Sequence, residues 1–300
     1  MESRRSLLQG IVDYAGLFPP TEASMADAVA EYARQRQAAE SWMLSTFVVS
    51  AARLDELANE AADLLPEDGS GDAWPLSVLV ASAGDEVLGL IVEFFAGHAP
   101  GTRAGQLELG ALEWKPDEPA AIPEFLERAP AAEIFCELPW HEELPPWLDA
   151  LAGTGARAKI RCGGVKPDLI PPVEAVANFL RSCDRASVGM KFTAGLHHPV
   201  RSIHRLSYEP DAPRAMMHGF LNVFFAASLV ARGDCPDPVL LAVLQETDGS
   251  AFNVDATGIA WRDHRVEASV VSDARASLAR SFGSCSFAEP VEDLQNLGIL

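Results

Sequence analysis

Lysine is scarce in this chain, with four lysines against nineteen arginines, and the scarcity makes the positions informative. Lys115, Lys159, Lys166 and Lys191 all fall at or just beyond the ends of short apolar runs that read as β-strands. Unlike arginine, lysine loses its proton readily when buried or set beside a second cation. The neutral amine can then form a Schiff base with a carbonyl. Lys159 and Lys191 on adjacent strands would make such a pair, because repulsion and desolvation favour deprotonation of one. Strand alternation places Arg157, Lys159 and Arg161 on one face, and Lys191 with Thr193 on the matching face of the next strand. Glu113 and Glu137 end the two preceding strands and are expected to move protons. These residues suggest an imine-forming Lys191, with Lys159 and Arg161 binding an anion and depressing the Lys191 pKa. The bland alternative is a buried Lys/Arg–Glu network that only ties the strands together.

A second cluster is His197-His198-Pro199, with His204 and His218 downstream. His198 is expected to contact substrate or relay protons, with Thr193, His197 and Arg201 as further substrate contacts. Neutral imidazoles beside Glu113 or Glu137 would also suit zinc or another divalent metal with an open position for water. The H-x-H and H-x-x-x-H spacings that pair two ligands are absent. His218 and Asn222 lie four apart, on one face of either a strand or a helix, and are expected to reach the substrate. Cys285 sits between two serines without a G-x-S-x-G elbow and reads as a buried structural thiol. Asp13-Tyr-Ala-Gly-Leu-Phe-Pro-Pro20 reads as a proline-stiffened loop that either lids a pocket or anchors the N-terminal helices.

The elements that must position these groups alternate. Expected strands at 42–49, 76–81, 107–114, 134–138, 158–162 and 188–193 are interleaved with helices at 51–65, 85–96, 122–128, 146–151 and 173–182. A seventh strand is expected at 218–223, running into a helix at 225–232, although 220–230 reads equally well as one buried helix. A last strand or hairpin follows at 251–261, and a closing helix at 266–282. Eight such units over about 240 residues predict an α/β fold, a (β/α)8 TIM-barrel-like single domain. Residues 1–40 are expected as an N-terminal helical extension packed on it, and 41–300 as the barrel. A doubly wound open sheet is the alternative, but neither dinucleotide-binding nor P-loop glycine patterns follow the first strand.

Charge narrows the partners. Forty-three acids against twenty-three bases give a net charge of −20, which repels nucleic acid and anionic membranes. Residues 1–150 hold 27 acids and 8 bases, whereas residues 157–205 hold 9 bases and 3 acids, so a small anionic metabolite is the expected ligand. No apolar run is long enough for a membrane span, and no secretory apolar core follows the first residues. Five cysteines without paired spacing fit a reducing compartment, so a cytoplasmic location is expected. Association of like chains is left open.

The runs Tyr14-Ala-Gly-Leu-Phe-Pro-Pro20, Thr193-Ala-Gly-Leu-His-His-Pro-Val-Arg201, His218-Gly-Phe-Leu-Asn222 and Gly283-Ser-Cys-Ser-Phe-Ala-Glu-Pro290 resemble those of an uncharacterised bacterial protein family. The resemblance spans nearly the whole chain and implies no activity. Lys191-Phe-Thr-Ala-Gly195 is similar to the strand-6 segment of deoxyribose-phosphate aldolase-like class I aldolases. That similarity implies a Schiff-base role for Lys191, although no second lysine follows on the next strand and His197-His198 replaces the glycine-led phosphate loop. Three functions are thereby set against one another. They are a lyase or aldolase working through a lysine amine without a cofactor, a metal-dependent hydrolase or isomerase using Glu137, His197, His198 and His218, and a non-catalytic anion-binding protein.

Overall fold

The computed structural model describes residues 2–66, 72–98 and 106–300. Helix α1 (Glu2–Leu8) leads into strand β1 (Val12–Tyr14) and then into α2 (Met25–Gln35). Ser24 caps α2 by accepting the Asp27 N–H, and Met25, Ala28, Val29 and Tyr32 recur on its buried face. Five strand–helix units follow. They are β2 (Leu44–Ser50) with α3 (Leu54–Ala61), β3 (Trp74–Val80) with α4 (Asp85–Gly97), β4 (Leu107–Trp114) with α5 (Ala121–Arg128), β5 (Glu133–Glu137) with α6 (Pro145–Leu151), and β6 (Arg157–Arg161) with α7 (Val173–Arg185).

Strand β7 (Met190–Thr193) precedes a long excursion. It comprises the hairpin β8 (Ser202–Arg205) and β9 (Arg214–Met217), helices α8 (Phe220–Arg232) and α9 (Asp237–Gln245), strands β10 (Phe252–Val254), β11 (Gly258–Trp261) and β12 (His264–Glu267), and α10 (Ala268–Ser277). Strand β13 (Ala279–Ser284) and helix α11 (Ala288–Asn296) complete the order. Among the described residues, β1-β13-β7-β6-β5-β4-β3-β2 close into an eight-stranded parallel barrel, so the chain is a (β/α)8 barrel. β1 joins the ends, pairing Val12 with Phe282 of β13 and with Leu44 of β2.

Alternation along the strands separates two environments. Phe192 and Phe282 face outward and pack on helix α8, with ring centroids 5.4 Å from Phe192 to Phe224 and 5.0 Å from Phe282 to Phe220. Each buried phenylalanine contributes about 2 kcal/mol through the apolar area it removes from water. Lys191 and Gly283, one position away, face inward. Helix α8 is apolar all round because the barrel packs on one side of it and α9 and α10 on the others, leaving Phe220 through Val230 buried.

Eight strands are present, but two of them are not the ones the residue pattern predicts. The expected strands 42–49 through 188–193 are barrel strands β2 to β7. The expected strand at 218–223 is the hairpin's end running into α8, where eleven consecutive buried residues satisfy a helix packed on all sides. The expected strand or hairpin at 251–261 belongs to an antiparallel three-stranded sheet outside the barrel. The missing two strands come from a predicted loop and a predicted helix end. Residues 1–40, expected as an extension, supply β1, and the closing helix expected at 266–282 stops at Ser277 so that 279–284 forms β13. Both strands carry polar residues toward an interior that is itself polar, which removes the alternation that marks an ordinary strand. Among the described residues, no helix is long and apolar enough to cross a membrane.

Candidate active site at the barrel mouth

Barrel register brings the lysines together. Lys159 on β6 is the direct partner of Lys191 on β7, and Glu137 on β5 is the partner of Lys159. A TIM barrel is usually filled by branched apolar residues. Here a layer of charges runs across it. Lys191 Nζ lies 2.6 Å from Asp13 and 2.7 Å from Glu113, and 4.9 Å above the Phe135 ring. Lys159 Nζ lies 2.9 Å from both Glu113 and Glu137. Arg161 Nε continues the chain to Glu137 at 3.2 Å. Ser77 donates to Glu113 at 2.6 Å, while Thr46 at 2.8 Å and Ser281 at 2.6 Å donate to Asp13. Three carboxylates thus meet three cations, and the layer is formally neutral. That balance makes so much buried charge tolerable.

The same contacts overturn the expected pKa logic. Burial would lower the Lys191 pKa, but the carboxylates of Asp13 and Glu113 outweigh it and push the ammonium's pKa up. Lys159 shifts the same way between Glu113 and Glu137. Glu113 is driven by burial toward protonation, yet the two ammonium groups hold it well below the usual carboxylate range. Glu137 is lowered likewise by Lys159 and Arg161 against the effect of burial. The expected depression of Lys191 by Lys159 fails because each ammonium meets carboxylates before it meets the other cation.

A cavity of about 690 Å³ opens over this layer at the C-terminal ends of the strands. Glu113, Glu137, Lys159 and Arg161 border it, together with Lys115, Thr193 and His197. Lys191 does not border it and is only 2% exposed. The loops after β6 and β7 cross at Gly163 and Gly195, so closely that a Cβ on Gly195 would stand 2.7 Å from Gly163 Cα. Ala194 and Gly195 both take positive φ there, the turn that carries His197 back to the wall.

Several expected site residues stand elsewhere. His198 bonds Asp293 at 2.6 Å and stacks on His204 with centroids 3.5 Å apart, beside a neighbouring pocket of about 300 Å³. His218 is buried with Nε2 on the Pro171 carbonyl at 2.8 Å. Asn222 accepts from the Arg201 N–H at 2.9 Å and donates to the carbonyls of Val243 and Glu246. It ties α8 to its surroundings, and none of Arg201, His218 and Asn222 borders the main cavity. Glu137, His197, His198 and His218 are not gathered around one point. Among the described residues, no group of three or more His, Cys, Asp or Glu side chains is placed to hold a metal ion.

Residue patterns missed Asp13, the acid that clamps Lys191, because it lies in a segment read as loop. The one local signal for Asp13 was an acid set between the apolar neighbours Val12 and Tyr14. Cys285, which the residue pattern reads as a buried structural thiol, is buried and also borders the cavity beside His197, one residue beyond β13. Searches against protein-family models and against curated proteins give no match, so residues and geometry alone carry the functional argument.

Proposed function

We propose that the cavity is the catalytic site of an enzyme acting on a small anionic carbonyl or carboxylate compound by lyase or aldolase-type chemistry, with Lys159 as the lysine of the reaction. The observation that carries this reading is the placement of Lys159 and Glu137, an ammonium and a carboxylate 2.9 Å apart, on the floor of a cavity at the C-terminal barrel mouth. Arg161, with 42% of its side chain exposed at that floor, takes the substrate carboxylate. Its withdrawal from Glu137 leaves that carboxylate with one cation fewer and so more basic. Glu137 then accepts the proton of a substrate hydroxyl or of a carbon next to the carbonyl. From the carbon, the C–H pair moves onto the carbonyl oxygen as an enolate. From the hydroxyl, the O–H pair forms a new C=O while the adjacent C–C bond breaks and its pair moves onto the carbonyl oxygen. In either route the Lys159 ammonium stabilises that oxygen. The same lysine, if Glu137 takes its proton, is also placed to add to the carbonyl as an imine.

A panel of small 2-keto acids and hydroxyaldehydes in heavy water tests this reading. We expect deuterium incorporation next to the carbonyl of at least one compound, falling about 100-fold or more in Lys159→Met and Glu137→Gln. Borohydride added to the same mixtures reads the imine route, with any adduct expected at Lys159 and none at the enclosed Lys191. Unchanged exchange in Lys159→Met overturns the assignment. Non-catalytic anion binding is the second reading, favoured by the mutual locking of the three cations and three carboxylates. Saturable binding of a small dicarboxylate, with neither exchange nor adduct across the panel, decides for it.

A further inference from the structure

We propose that Cys285 and His197, in the wall of the same cavity and backed by Glu289, form a nucleophilic thiol site, and that its electrophile is an aldehyde carbonyl. Cys285 lies one residue beyond barrel strand β13 and three before the nine-residue helix α11, whose N-terminus favours a thiolate. Its Sγ is 3.7 Å from His197 Nδ1 and 4.0 Å from Nε2, and both residues border the cavity. Glu289, in the first turn of α11, sets Oε2 3.3 Å from the same Nδ1. Tyr208 holds Glu289 from the other side, donating to Oε1 at 3.1 Å, and its hydroxyl lies 3.9 Å from the thiol. A thiol, an imidazole and a carboxylate thus converge from the loops after β7 and β13 and from α11. The thiol and the carboxylate meet the same nitrogen, so His197 serves as a cation shared between them, and a protonated imidazole beside the sulfur is what favours the thiolate.

The groups facing the sulfur are His197, Tyr208 and the Thr21 hydroxyl, with Glu289 acting through His197 and Tyr208 and Tyr14 of β1 at longer range. Burial opposes a thiolate, but the His197 imidazole outweighs it and draws the thiol pKa below its ordinary value. Burial likewise opposes an imidazolium, yet Cys285 and Glu289 push His197 up to about 10. The other four cysteines have no such partner, and burial pushes each of their thiols up. In the step proposed, the thiolate electron pair forms a C–S bond to the aldehyde carbon. The C=O π pair moves onto oxygen, which takes the proton of the His197 imidazolium. The product is a thiohemiacetal, no group leaves, and the reverse step releases the aldehyde.

Iodoacetamide on the full chain, with peptide mass spectrometry, reads the thiol whether or not Lys159 acts. The sulfur displaces iodide, and the rate tracks the thiolate fraction. At about pH 6, Cys285 is expected to react about tenfold or more faster than Cys235, although Cys235 is the more exposed at 8% against 5%. His197→Gln is expected to cut the Cys285 rate about tenfold and move its inflection toward the ordinary thiol range. Should that variant fail to fold, Glu289→Gln is expected to shift the inflection the same way by less. Glycolaldehyde is expected to slow alkylation of Cys285 saturably. An ordinary thiol titration at Cys285, or one indifferent to both substitutions, overturns the thiol site, and no protection by glycolaldehyde overturns the aldehyde assignment.

Discussion

The ammonium of Lys191 stands 2.6 Å from the carboxylate of Asp13, joining barrel strands β7 and β1 across the intervening β13. This contact crosses the point where the chain's first strand closes the barrel. Both partners are almost fully buried, at 2% each. Removing one partner of a buried pair leaves the other charge without compensation, at a cost of about 3–5 kcal/mol. Asp13→Asn is therefore expected to lower stability by about 3 kcal/mol in a urea titration. The exposed pair Arg53–Glu56 is the control, since Glu56→Gln is expected to leave the midpoint unchanged.

The ionised layer also sets a pH window. Glu113 and Glu137 have folded pKa values below the ordinary 4.5, so their contribution is full above about 4.5 and is lost as pH falls toward the folded values. Lys159 and Lys191 are raised above the ordinary 10.5, so theirs is full below about 10.5 and is lost as pH rises through the folded values. Thermal melts are expected to show a plateau between those limits and a fall on either side. In Lys159→Met the alkaline fall is expected to weaken; an alkaline fall as steep as that of the native chain would sink the linkage.

Arg161 is the cation of the layer with the most exposed side chain, at 42% against 5% for Lys159. Arg161→Gln is expected to weaken binding of malonate about tenfold in calorimetry. Its stability is expected to stay within about 1 kcal/mol, because the removed guanidinium is solvated. An unchanged malonate affinity would move the anion site elsewhere.

Gly195 offers a comparison with Gly153, since both adopt positive φ, +73° and +74°. A Cβ at Gly153 meets nothing within 4 Å, whereas at Gly195 it would lie 2.7 Å from Gly163 Cα and 2.8 Å from the Cys162 carbonyl. Gly153→Ala is expected to cost about 1 kcal/mol for the left-handed backbone alone. Gly195→Ala is expected to cost about 1–3 kcal/mol more, and to displace the loop that carries His197. Equal costs in denaturant titrations would show that the crossing of the two loops is not tight.

Six strands and the helices between them were legible because each is an apolar run whose outward face packs against helices. Phe192, Ile160 and Cys136 announce β7, β6 and β5 in that way. β1 was not legible. Three residues with aspartate in the middle resemble a loop until Lys191, 178 positions later, supplies the partner that makes burial of Asp13 affordable. β13 was concealed by arginine and serine among its small residues, and the first turn of α8 read equally as strand or helix because complete burial erases helical periodicity.

The residues alone determined that lysines and arginines would share the inner faces of neighbouring strands, with glutamates at the ends of the two strands before them, because alternation along a strand is a local property. Only the tertiary structure decided what those charges do to one another. Strand register set Lys159 against Glu113 and Glu137, and closure through β1 delivered Asp13 to Lys191. The expected neutral amine became a pair of held ammonium ions, and a cysteine that read as packing material came to lie beside a histidine and a glutamate. Electrostatic energies fall off over a few ångströms, so their sign at each site depends on contacts between residues far apart in the chain, and sequence spacing carries no record of those contacts.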